Sequence, residues 1–151
     1  MSRVTFLLLN LAVAFYNMGT IWAHEVDIFR SWRLLAPSDF HRVQRAHWRK
    51  LPWWVLLPAG LSFVGSLVLI AYRPVHSPPW ALWSLLCCQV AAYGLTAAFW
   101  GPWQAKLSKD PLGSGSPFLV RILATHWIRT SLITAVAVIL FVWTVQCACH
   151  A

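Results

Sequence analysis

Acidic side chains are what this chain most conspicuously lacks: four Asp and Glu stand against twelve Lys and Arg, and charged residues of both signs make up 11% of 151. A soluble domain carries about 25% charged and about 45–50% apolar residues. Here the hydrophobic share is 59%, which excludes an ordinary soluble fold and leaves an integral membrane chain with room for one domain. Cysteine offers little. Cys87, Cys88, Cys147 and Cys149 form no CxxC pair that could close a zinc site and show none of the spacing of a secreted disulfide framework. Adjacent Cys87 and Cys88 point to different sides of a helix and make a poor redox dithiol. No helix carries HxxxH or ExxH, so a metal site would have to be assembled across helices. The net charge of +8 would suggest nucleic acid, but the basic residues lie in short connections between apolar runs. There they set membrane orientation and attract anionic lipid, so nucleic acid is not an expected partner.

What the chain does have is four apolar runs, 4–23, 52–72, 80–101 and 119–146, each long enough for a hydrocarbon interior of about 30 Å. The expected fold is all-α, an integral membrane four-helix bundle in a single membrane domain over 1–151. The first run has the outline of a signal peptide but reads as a retained helix, because Asn10, Asn17, Thr20 and His24 fall on one narrow arc of it. A polar stripe inside a membrane must face protein or water. It either lines a site or holds the bundle together by interhelical hydrogen bonds.

Residues 24 to 50 are the only long polar connection, holding three of the six histidines and three of the four acids. Pro37, Ser38 and Asp39 read as a helix start with Ser38 capping. From there to Lys50 the spacing predicts an amphipathic interfacial helix between helices one and two. Phe40, Val43, Gln44 and His47 share one face of it, and Arg42, Arg45 and Arg49 another. In the second run Pro58 should kink the helix unless a neighbour satisfies the freed carbonyl, and Ser62 with Ser66 gives a small-residue packing edge. The turn 73–79 is a tight reversal that leaves His76 as a solvated loop histidine. On the third run Gln89, Tyr93, Thr96, Trp100 and Trp103 make a second polar and aromatic stripe. The stretch 101–118 should end that helix and supply a flexible GSGS loop. The tail CACHA reads as a frayed terminus, with Cys147, Cys149 and His150 able to take up a soft metal adventitiously.

Four crossings put Arg3 and Arg73 on one side and nine basic residues on the other, ten with Arg129. The positive-inside rule then places both termini on the non-cytoplasmic side and both larger loops in the cytoplasm. Alternating helix directions bring His24, Glu25, His41, Gln44, His47, Gln104, His126 and Arg129 into one cytoplasmic-side layer. For acid/base work the candidates are His126 and His47, with Glu25 orienting. Arg129 and Gln104 would hold a developing oxyanion, and Asn17 and Thr96 would line the pocket floor. Trp22, Trp100, Trp103 and Trp127 would form aromatic walls for a flat lipophilic molecule entering from the bilayer. The cofactor stays open: none, a transition metal on His24, His47, His126 and Glu25, or a haem held by paired histidines. A rival class is a non-enzymatic membrane subunit or lipid-binding scaffold using Arg42, Arg45 and Arg49. Expected partners are membrane lipids and a lipophilic small molecule, with a homo-oligomer or membrane complex left open.

Two motifs, TAAFWGPWQAKL from Thr96 to Leu107 and HWIRT from His126 to Thr130, together with the four-span order, resemble the small four-helix membrane proteins grouped with fungal anthrone oxygenases. Members typically show Pro followed closely by Asn at the end of helix three, where this chain has Pro102, Trp103 and Gln104. The resemblance implies oxygenation of a polycyclic phenolic substrate without a recognised cofactor.

Overall fold

In a computed structural model describing residues 1–149, the chain forms four long helices and, among the described residues, no strand. They are α1, Arg3–Leu34; α2, Pro37–Tyr72; α3, Pro79–Leu107; and α4, Pro117–Cys149. His150, named above for a soft-metal set, lies outside the described residues. Each helix packs on its neighbour in sequence, and α4 closes the ring against α1. All four are long and apolar enough to cross a membrane.

Burial is inverted relative to a water-soluble bundle. Leu8, Phe15, Val64, Val68, Val90 and Phe141 face outward, while Asn10, Asn17, Ser62, Ser66, Gln89 and Thr130 are buried. Hydrocarbon has no water to hydrogen-bond a polar side chain, so these groups turn inward and find partners there. The Ser66 hydroxyl donates to the Ser62 carbonyl at 2.9 Å, and Gln89 Nε2 donates to Ser62 Oγ at 3.2 Å across the α2–α3 seam. Gly65 sits so close to Asn10 that a Cβ there would fall 1.9 Å from Asn10 Oδ1, which fixes how closely α1 and α2 approach.

Several boundaries differ from the sequence reading. The polar connection 24–50 is helical on both sides of a break at Leu35 and Ala36, because α1 runs past Ala23 to Leu34 and α2 begins at Pro37. The amphipathic segment is therefore the first four turns of α2, continuous with the span that follows. Its faces are as expected, with Phe40 and Gln44 buried and Arg42, Arg45 and Arg49 exposed. Its N-cap is Ala36 with Pro37 in the first helical position, not Ser38. Proline needs no N–H there and arrives with a helical φ already set. Nor does α3 stop near Gly101; it passes through Pro102 to Leu107.

The 108–116 connection is an ordered turn, contrary to the flexible loop expected of GSGS. Asp110 Oδ1 accepts from the Leu112 amide at 3.0 Å and Oδ2 from the Ser116 hydroxyl at 2.6 Å. Gly113 takes φ +53 with its Cα against Phe40 of α2, a conformation and a closeness that favour glycine.

Two apolar clusters result. One, at the end that carries the chain termini, contains Leu7, Leu69, Leu82, Leu140 and Trp143. The other, at the opposite end, contains Phe29, Trp32, Phe40, Trp100 and Leu119.

Candidate functional site

Three of the four helices loosen into a π-helical turn at the same level of the bundle: His24–Ile28 in α1, Pro52–Leu56 in α2 and Thr96–Trp100 in α3. Each substitutes an i→i+5 hydrogen bond for the α-helical one, as from the Gly101 amide to the Thr96 carbonyl. Such turns add a residue to the helix circumference and redirect the side chains beside them. In α2 and α3 the π-turn ends two residues before a proline, Pro58 and Pro102. The wider turn makes room for the ring, and the carbonyl of Trp54 that Pro58 leaves without its amide accepts from the Tyr16 hydroxyl of α1 at 3.1 Å.

At this level the helices enclose a cavity of about 200 Å³, larger than the roughly 150 Å³ apolar cavity that takes up benzene. All four helices line it. From α1 come Asn17, Thr20 and His24; from α2, Trp48, Val55 and Ala59; from α3, Gln89, Tyr93, Thr96 and Gln104; from α4, Arg129 and Ile133. The polar stripes of α1 and α3 thus face one another across a void. On the lipid side, Leu56, Ala59 and Tyr93 also line a shallow outer groove between α2 and α3, so the wall there is one residue thick. The Tyr93 hydroxyl closes it by donating to the Ala59 carbonyl at 2.7 Å.

Among the described residues lining the cavity, four have a buried polar atom without a hydrogen-bond partner, Trp48 Nε1, Gln89 Oε1, His24 Nε2 and Arg129 Nε, and the last two belong to ionisable groups. His24 Nδ1 lies 2.7 Å from the Thr20 carbonyl and must be its donor, which leaves Nε2 as a lone-pair acceptor; that atom is buried with no partner. Among the described residues the Arg129 guanidinium has no carboxylate partner, and its Nε is buried without a hydrogen bond. Its one favourable contact is with the Trp100 ring, 5.7 Å from Cζ. A cation–π contact is worth about 0.5–2 kcal/mol. Taking an ion fully out of water costs several kcal/mol, more than such a contact returns.

The remaining polar residues form a layer beside the cavity. Glu25 Oε2 accepts from His126 Nδ1 at 2.9 Å, and its Oε1 accepts from Arg30 at 3.1 Å. The carboxylate fixes the imidazole tautomer and leaves His126 Nε2 buried without a partner. Phe29 stands edge-on to two imidazoles, 5.4 Å from His24 and 4.8 Å from His126. His47 packs edge-on to His24 at 5.2 Å and to Trp32 at 5.3 Å.

His24, Asn17, Thr96, Gln104 and Arg129 therefore line the cavity, while His126, His47 and Glu25 do not. Phe29 lies against the His126 ring, and His47 lies behind His24. The expected aromatic walls are also elsewhere. Trp22 lies on the outer surface, donating to Thr134 Oγ1 at 3.0 Å; Trp100 packs under Arg129 and donates to Thr125 Oγ1 at 2.9 Å; Trp103 stacks on Phe99. Trp127 is exposed. The tryptophan that does line the cavity is Trp48 of α2.

As for a metal, among the described residues no three His, Cys, Asp or Glu side chains converge closely enough to hold an ion. The set His24, His47, His126 and Glu25 is not brought into one coordination sphere: Phe29 packs edge-on against both His24 and His126, and the His24 and His47 rings meet edge-on rather than turning their nitrogens to a common point. The four cysteines are free thiols, and Cys87 and Cys88 differ in exposure as adjacent helical residues must.

Comparison with family models, curated proteins and solved structures gives no match.

Proposed function

We propose that the chain is a membrane-embedded oxidoreductase of the oxygenase type, acting on a lipophilic aromatic molecule held in the central cavity. The observation that carries this reading is His24: an imidazole with its acceptor nitrogen uncommitted, at the wall of a mostly apolar void between four membrane helices. An imidazole so placed removes a proton from an acidic O–H or C–H of the bound molecule. Gln104 and Arg129 stand on the same wall to hold the charge that develops on the substrate oxygen. His126, tied to Glu25, is a positioning group that stiffens the end of α1 from which His24 projects.

Oxygenation comes from the resemblance in the Thr96–Leu107 and His126–Thr130 motifs. With dioxygen as oxidant, a ring methylene becomes a carbonyl: both of its C–H bonds and the O–O bond break, one oxygen atom enters the new C=O, and the other leaves with the two hydrogens as water. The electrons lost by the carbon are those that reduce dioxygen. The basic-residue bias orients this end of the bundle toward the cytoplasm, both termini lying on the other side.

The test is oxygen uptake by the purified full chain in detergent with anthrone as the probe. The expected result is uptake that His24→Ala lowers by about a hundredfold or more, with helicity and unfolding temperature retained. A second reading rests on the exposed arginine face of α2, Arg42, Arg45 and Arg49, which suits anionic headgroups. No uptake above detergent alone, with vesicle binding lost when those three become Gln, would replace the enzyme by a lipid-binding scaffold.

A further inference from the structure

Arg129 is the residue of the cavity wall that carries a permanent charge, and among the described residues no acid pairs with it. Among the described residues the acids are engaged elsewhere or distant from it. Glu25 is held by Arg30 and His126, Asp39 by Arg42, and Asp110 by Ser116 and Leu112, while Asp27 is exposed at the surface. No side-chain oxygen accepts from the guanidinium, and its Nε is sealed from water. An arginine inside membrane helices ordinarily pairs with an acid or a backbone carbonyl, or opens to water. This one instead faces a void whose wall is largely hydrocarbon.

We infer that the cavity binds its ligand as a preformed lipophilic anion, an aromatic carboxylate or phenolate, whose charged oxygen pairs with Arg129 while its ring system fills the apolar space between α1, α2 and α3. The inference rests on the cavity reading above and narrows its substrate class: the charge is present when the ligand arrives, before any chemistry. The guanidinium offers two parallel N–H donors to a carboxylate. Trp100, packed under the guanidinium, holds its plane in position to donate. Gln104 supplies a neutral donor in the same cavity for a second oxygen, and the cavity spans all four helices, so the ring body can lie alongside Val55, Ala59 and Ile133. An anion in hydrocarbon is as costly as an unpaired arginine; bringing the two together relieves both.

The test uses anthracene-9-carboxylate and its neutral isostere anthracene-9-carboxamide, titrated against the detergent-solubilised full chain at neutral pH and followed through tryptophan emission, Trp48 being in the wall. The wild type should bind the carboxylate roughly tenfold or more tighter than the amide. Arg129→Gln should bring that ratio to about one, and Arg129→Lys, which keeps the charge, should retain part of it. Arg45→Gln, on the exposed face of α2, should leave the ratio unchanged. If Arg129→Gln does not fold, the wild-type ratio and the Lys variant decide. Equal binding of both probes by the wild type, or a ratio that survives Arg129→Gln, overturns the anion and leaves the cavity standing. Failure of both probes to bind overturns the cavity reading itself.

Discussion

Glu25 serves two donors with one carboxylate, accepting from the buried imidazole of His126 on one oxygen and from the exposed guanidinium of Arg30 on the other. It is the residue that fastens the end of α1 to α4, 101 positions away in the chain. Glu25→Ala should leave the buried His126 Nδ1–H with only the longer contact to Thr130 Oγ1, 3.4 Å away, at a cost of about 1–3 kcal/mol, read as a lower unfolding midpoint in detergent. Glu25→Gln, which retains an amide oxygen, should recover part of the loss. His24 and His126 were legible in the sequence as members of one layer because alternating helices bring the ends together. Which of them faces the cavity was not, since that depends on Phe29 lying against His126, a matter of rotation that no spacing fixes.

At the scale of the helix, the positions of Pro58 and Pro102 carried more than a kink. Each follows a π-turn by the same interval, and those turns border the cavity; the sequence showed Pro58 as a kink and the stretch with Pro102 as a helix end, and what happens at Pro58 required the partner helix that supplies Tyr16 to the freed Trp54 carbonyl. The π-turn of α1 contains no proline, and nothing local in HEVDI announced it. The loop between α3 and α4 makes the complementary point. Glycine and serine there suggested slackness, but Asp110 gathers the turn around its two oxygens. The Ser116 hydroxyl first, and then the Leu112 amide, hold the Asp110 carboxyl below the usual carboxylate range. A carboxyl whose folded value is depressed stabilises the turn fully above its unfolded value, and that support is lost as pH falls through the folded one. Amide exchange across 108–116 should accordingly accelerate at acid pH, and Asp110→Asn should produce the same acceleration at neutral pH. Exchange indifferent to both would mean that Gly113 against Phe40 holds the turn alone.

For the molecule as a whole, hydrophobic run length and inward polar stripes were enough to read the four-helix architecture, because the membrane permits few alternatives. The boundaries were underestimated for a physical reason. At about 1.5 Å per residue, helices of 29 to 36 residues exceed the hydrocarbon thickness. Their polar extensions continue as helix because they pack on one another around Phe29, Trp32 and Phe40. Those extensions carry most of the basic residues, and their sidedness is open to measurement. In a chain with its cysteines replaced, a new cysteine at Ser114 should be labelled by an impermeant maleimide only from the cytoplasmic face of oriented vesicles, and one at Ser77 only from the opposite face. The reverse pattern would overturn the proposed orientation.

The Tyr93 hydroxyl, donating to Ala59 across the single-residue wall between cavity and outer groove, bears on how occupancy is reckoned. A solute dissolved among acyl chains would face the cavity across one layer of side chains, Leu56, Ala59 and Tyr93, and entry by that route would need no return to the aqueous phase. Saturation would then track the mole fraction of solute in the lipid, so that diluting the bilayer at constant total solute weakens apparent binding while the molecule itself is unaltered.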